Sequence, residues 1–326
     1  MEKLTTNYLG LKLKSPVIVS SSGLSKKMSN LKTAEESGAG AIVLKSIFEE
    51  QIVYESNLAI DQSKDYPEAA DYIKNYSKHN SIDEYIALIK EAKSTVNIPV
   101  IASINCTTDA EWPYFAKKIE EAGADAIELN MNVFPFNPDL TSEDIEKQYF
   151  NIFEQVKANT KLNIACKLSK NFTNLPYFIK QLTFRGAKSF VLFNRFFEPI
   201  IDIEKEELTT SSVLSHENDL KNSLRWVAIL KGMMPDIEIS ASTGVHNANG
   251  VIQQILAGAD TVQLCSVLYR KGVKEIKPIT DELINWMDKK SYKTIDDFRS
   301  ELSYKNIDNP KMYERFQFIK HFANIE

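Results

Sequence analysis

Short apolar runs alternate with amphipathic segments along nearly the whole chain. The runs begin near residues 16, 41, 98, 125, 162, 188, 237 and 261, and each lasts only a few residues. Unbroken runs of that length read as strands buried on both faces. Between them apolar positions recur at helical spacing, as Phe115, Ile119 and Ala122 do. Start and stop signals frame these segments. Ser81 with Glu84 and Thr141 with Asp144 are capping patterns, and Gly38, Gly40 and Gly123 are placed to end helices. The helices so predicted cover residues 28–37, 81–92, 109–122, 141–158, 174–182, 219–230 and 248–256.

Regular alternation of strand and helix predicts a parallel sheet, and eight repeats predict a closed (β/α)8 barrel, the TIM-barrel architecture. The alternative is an open doubly wound sheet, but no strand is followed by GxGxxG. Residues 1–14 alternate weakly around Gly10, which predicts a hairpin over the lower mouth of the barrel. Residues 275–326 are amphipathic and charged, and read as a helical extension packed on the barrel. The whole chain, 1–326, is then one domain. Two connections, 47–80 and 195–218, are too long to be plain linkers and are expected to act as lids or binding loops.

Composition narrows the function. A net charge of −5 over 326 residues argues against nucleic acid or an anionic membrane as partner. No apolar run approaches a membrane span, and the N-terminus lacks the apolar core of a signal peptide. Cys106, Cys166 and Cys265 lie far apart and follow no metal spacing, so no metal is expected and a reduced, cytoplasmic setting is.

Polar residues collect after almost every strand: Ser20, Ser21 and Ser22; Lys45 and Ser46; Asn105 and Cys106; Asn130 and Asn132; Lys167; Asn194; Thr243 and Gly244; Cys265 and Ser266. Each alone is ordinary loop chemistry. Together they ring the carboxyl end of a barrel, where ligands bind. The loops after strands seven and eight are where barrels hold phosphate through backbone N–H groups.

Residues 98–135 carry a resemblance. The stretch SINCTTDAEWPYFAKKIEEAGADAIELN resembles the FMN-containing dihydroorotate dehydrogenases and is especially similar to the flavin domain of dihydropyrimidine dehydrogenase. The likeness runs from about residue 15 to 272. It implies a soluble enzyme, with a homodimer among the expectations, that moves a hydride between a dihydropyrimidine-like ring and flavin N5. It implies that Ser20, Ser21, Lys45, Ser46, Asn130, Lys167, Thr243, Gly244, Cys265 and Ser266 hold FMN. Asn105, Asn130, Asn132 and Asn194 would face the substrate. Lys167 would stabilise the charge developing on the reduced flavin.

Four departures stand beside the resemblance. The family's active loop reads roughly Asn-x-Ser-Cys-Pro-Asn, with Cys or Ser as base, and here it reads Asn130-Met131-Asn132-Val133-Phe134-Pro135. The in-register position of the base is therefore Val133, which takes no proton; Cys106 is a weak replacement candidate. Thr243-Gly244 stands where the family has Gly-Gly, and Cys265-Ser266 where it has Gly-Thr. Its glycine-rich segment after strand six is here Ser211-Ser212-Val213-Leu214-Ser215. Three other readings stay open: a flavoenzyme for a different enoate or imide, a flavin- or phosphate-binding barrel without catalysis, and a Schiff-base lyase using Lys167.

Overall fold

The computed structural model describes residues 2–48, 70–106, 112–195, 198–210 and 212–314. Strands β1 (Thr6–Tyr8) and β2 (Leu11–Leu13) form the expected antiparallel hairpin. Its two-residue turn places Leu9 at φ 55° and Gly10 at φ 68°, the left-handed pair that a tight hairpin needs.

The eight barrel strands fall where the apolar runs predict them. They are β3 (Val17–Val19), β4 (Ala41–Val43), β6 (Val100–Cys106), β7 (Ala126–Met131), β8 (Ile164–Leu168), β9 (Ser189–Leu192), β12 (Glu238–Ser242) and β13 (Thr261–Leu264). All pair in parallel, in the order β4-β3-β13-β12-β9-β8-β7-β6, and a β4–β6 pairing closes the ring. A two-residue strand, β5 (Ile47–Phe48), adds to the outer end of β6. Strands β10 (Pro199–Asp202) and β11 (Glu207–Thr210) pair only with each other.

Side chains alternate across a strand, and this divides the core in two. The larger apolar cluster lies between the strands and the surrounding helices. The smaller fills the barrel: Ile18, Ala41, Val43, Ile101, Ala126, Ala165 and Val191 meet Tyr8, Leu9 and Leu13 of the hairpin. The hairpin is thus a plug at the amino-terminal end of the strands. It is tied there by the Leu9 N–H donating to Glu238 (2.8 Å) and Asn163 Nδ2 donating to the Leu9 carbonyl (2.8 Å).

Three expectations change. The capping pattern at Ser81 does not begin a helix, because one helix runs from Ala70 to Thr95. Buried Ile82, Tyr85, Ile89 and Ala92 anchor its second half to the barrel, so the local start signal does not set the boundary. The second long connection carries the β10–β11 hairpin, which its lack of a strict period concealed. The tail is helical at Ile276–Lys289 and for one turn at Lys311–Glu314, with 3-10 and turn structure between. The Thr141 cap does form, with Thr141 and Asp144 reciprocally bonded at the start of Ser142–Ala158. Most of 47–80, the start expected for the 109–122 helix, and residues 315–326 lie outside the described residues.

Candidate active site

The interior of the barrel turns polar one layer above the apolar plug. On β7 the inward positions are Ala126, Glu128 and Asn130, and on β8 they are Ala165 and Lys167. Glu128 is only 1 % exposed. Its carboxylate accepts from Lys167 Nζ at 3.0 Å and from Gln263 Nε2 at 2.6 Å. Gln263 Oε1 in turn accepts from Ser20 Oγ at 2.9 Å. The chain Ser20–Gln263–Glu128–Lys167 therefore crosses the barrel from β3 through β13 and β7 to β8. A buried carboxylate and ammonium persist only when paired and hydrogen-bonded, and these are.

Above this layer opens a cavity of about 600 Å³. Of the residues read from the sequence, Ser20, Ser21, Ser22, Lys167, Asn194, Thr243, Gly244, Cys265 and Ser266 line it, joined by Ser215, Gln263 and Tyr269. Ser22 Oγ is buried there without an oxygen or nitrogen partner among the described residues. The cavity's volume lies in the 300–1,000 Å³ range of small-molecule sites, with a few polar groups on apolar walls.

Thr243 sits at φ 76° and Gly244 at φ 83°. A β-branched residue in that region is an outlier, and here the Thr243 hydroxyl donates to the Phe193 carbonyl at 3.1 Å. A side chain on Gly244 would run into the Leu220 backbone, so glycine is required. Burial pushes the Cys265 thiol up, partly offset by Lys167.

Among the described residues the other sequence candidates, Asn130, Ser46, Lys45, Asn105 and Asn132, do not line this cavity. Asn130 is buried, and its Oδ1 accepts from Asn194 Nδ2 at 2.9 Å, which fixes both amides. Ser46 Oγ bridges Ser21 Oγ (3.1 Å) and Ser103 Oγ (2.7 Å). Lys45 is half-buried beyond it, and burial, then the charge of Lys26, lowers its pKa. Asn105 pairs in register with Asn130, and Asn132 follows β7 half-buried. The backbone of Cys106 pairs with Met131, while its side chain lies outside the described residues.

Val133 is held from behind. Its N–H donates to Tyr149 Oη (3.1 Å), and that hydroxyl donates to the Val133 carbonyl (3.3 Å). Its own side chain packs on the outer core. The loop then exposes Phe134 and Phe136, stacked 4.2 Å apart. A second cavity, about 470 Å³, adjoins the first across Phe193, Asn194, Arg195 and Thr243, and Phe134 and Lys170 also line it. Arg195 binds Asp219 (2.8 Å) and the Ser212 carbonyl (2.7 Å), clamping the segment between β11 and the Leu220–Met233 helix to the rim.

Glu128, Gln263 and Arg195 were not read from the sequence as site residues. The signal for the first two was a polar letter inside an apolar strand, in AIELN and TVQLC, where only a polar barrel interior could accept it.

The chain also has relatives among known proteins. The chain is 28 % identical over 305 residues to the catalytic subunit of dihydroorotate dehydrogenase B (NAD(+)) from Thermoplasma volcanium, covering 91 % of this chain and 97 % of the relative. To the protein of the same name from Methanocaldococcus jannaschii it is 24 % identical, covering 87 % and 93 %. To that from Pyrococcus abyssi it is 25 % identical, covering 90 % and 96 %. The sequence model of dihydroorotate dehydrogenase matches residues 3–287, barrel, plug and rim together, and the chain belongs to the dihydroorotate dehydrogenase family.

Proposed function

We propose that this protein is an FMN-dependent oxidoreductase of the dihydroorotate dehydrogenase type, converting dihydroorotate to orotate. A flavin is common to the family; FMN is proposed because the cavity ends at the Thr243–Gly244 and Cys265–Ser266 loops, where barrels hold phosphate. When bound, FMN supplies the hydride acceptor. The protein's own contribution starts from Lys167. Its cation lines the cavity and is fixed by Glu128, so it meets developing negative charge without reorganising. The Asn130–Asn194 pair orients a planar imide ring at the cavity wall, and Phe134 shields its approach.

Lys167, buried and aimed at the cavity, is the observation that carries this reading. It also weighs against a Schiff-base lyase, which would need that amine free to attack a carbonyl. Val133 favours a second reading within the same class: a different enoate or imide substrate, one that needs no base at that point. A small-molecule substrate follows from either. No helix among the described residues is long and apolar enough to cross a membrane, and a cytoplasmic homodimer is part of the proposal. The deciding experiment is the absorbance spectrum of purified protein, followed by anaerobic titration with dihydroorotate. Close to one FMN per chain, bleached by dihydroorotate, is the expected result. A colourless protein that takes up no added FMN would overturn the reading.

A further inference from the structure

Beside the loops proposed for phosphate lie two buried residues, Ser215 and His246, that no step above uses. Ser215 is the hub. The Ser215 N–H donates to Ser266 Oγ at 2.9 Å, and the two hydroxyls are 3.0 Å apart. Ser215 Oγ also lies 3.1 Å from His246 Nε2 and accepts weakly from the Gly244 N–H at 3.4 Å. All three side chains are at least nine-tenths buried. Ser215, Gly244 and Ser266 line the large cavity, whereas His246 stands behind them, facing a smaller one of about 260 Å³.

One assignment of donors and acceptors satisfies all of these contacts together, with His246 carrying a proton on Nε2. A serine hydroxyl has one hydrogen and two lone pairs. With His246 Nε2 as donor, Ser215 Oγ accepts from it and from Gly244 and passes its own hydrogen to Ser266 Oγ. Ser266 Oγ then accepts twice from Ser215, and its remaining hydrogen is directed away from Ser215, on a residue that lines the cavity. Hydrogen bonds in such a chain strengthen one another. An anion at Ser266 would draw the whole chain toward itself, with the imidazole at its far end.

We infer that His246 is a positioning residue for a phosphate monoester. Acting through Ser215 and Ser266, it couples retention of the phosphorylated ligand to pH. This rests on the reading that the cavity takes FMN. The groups around the ring set its resting state. Burial and then Arg270 hold the ring's pKa below the ordinary value, with His216 acting in the same direction, while Glu217 and the Ser215 backbone oppose them. A phosphate near Ser266 adds negative charge on the cavity side and raises the ring's pKa. The sign follows: binding takes up a proton, so the added affinity is complete below the free-state pKa and is lost as pH rises through the bound-state pKa. A one-unit rise on binding corresponds to about a tenfold change in affinity across that window.

FMN and riboflavin differ only by the phosphate, so the test is their affinity, read by flavin fluorescence from pH 5.5 to 8.5 in wild type and in His246→Gln. The phosphate itself titrates near pH 6, which is why the two proteins are compared at each pH. The expected result is that wild type binds FMN about tenfold more tightly than the variant at pH 5.5, with the advantage gone at pH 8.5, and that riboflavin shows no such difference. A ratio for FMN that does not change with pH would overturn the inference, as would an equal loss for riboflavin, which would mark His246 as merely structural. If neither flavin binds, the FMN reading fails on its own. The imidazole resonances of wild type titrated with inorganic phosphate then decide: a raised His246 pKa supports a phosphate site for another ligand, and an unmoved one ends the proposal.

Discussion

A carboxylate and an ammonium buried together commit each other. Glu128 and Lys167 sit in the interior layer that separates plug from cavity, each nearly closed to solvent. Removing one charge leaves the other without its partner, at a cost of about 3–5 kcal/mol. Glu128→Gln keeps the volume and is expected to lose that much in urea denaturation of the flavin-free protein. Adding Lys167→Met should recover most of it. A loss under about 1 kcal/mol in the single variant would show that water already solvates the pair. Val133 carries the opposite lesson, a position where charge is missing. General-base help is worth about 10²–10⁴-fold, and valine offers none. Flavin reduction by dihydroorotate should therefore be slow and nearly independent of pH between about 6 and 9. If the loop takes the family's path and turns this side chain from the outer core to the cavity, Val133→Cys should quicken it and add a rise with pH through the thiol's ordinary pKa of about 8.5. A fast wild-type rate with a clear ionisation would place the base on another residue. Lys167 and Asn194 were legible because each closes a run of apolar residues in the sequence. Glu128 and Gln263 were not, since a polar letter within a run reveals its direction only after the barrel closes.

Elements were more legible than residues where burial alone defines them. Most barrel strands carry a short apolar run because both of their faces are covered. Local signals served less well where tertiary contacts decide, as at Ser81 within the Ala70–Thr95 helix. The 195–218 connection is the instructive case. Its β10–β11 hairpin exposes Ile201, Ile203 and Leu208, and faces neither plug nor core, so neither a helical nor a buried-strand period marks it. Arg195 fastens the return of this segment beside both cavities. If the segment is a lid, the amides of residues 198–210 should exchange more slowly once orotate binds. Unchanged exchange, with orotate shown to be bound by a shift in the flavin spectrum, would leave the hairpin as an interaction arm only.

Across the whole molecule the barrel separates two tasks. The hairpin closes the amino-terminal end of the strands with Leu13 fully buried, and the candidate site occupies the carboxyl end. On β7 the path from Ala126 in the plug layer to Asn130 at the rim is four residues, about 13 Å at the rise of a strand. Leu13 and Thr243 share no partner in either layer, and sites that far apart add within about 0.3–0.5 kcal/mol. Leu13→Ala should cost about 2–5 kcal/mol and leave the FMN affinity of the folded protein unchanged. Thr243→Glu, which sets a carboxylate where the phosphate is proposed, should weaken FMN at least about tenfold, roughly 1.4 kcal/mol, and should cost the flavin-free protein about 0.5–1.5 kcal/mol for the lost hydrogen bond to Phe193. The double variant should then show the sum of the two stability changes and the affinity of Thr243→Glu alone. Weaker FMN binding in Leu13→Ala, or a coupling above about 1 kcal/mol, would mean that strain passes through the Glu128 layer and that plug and site act as one unit.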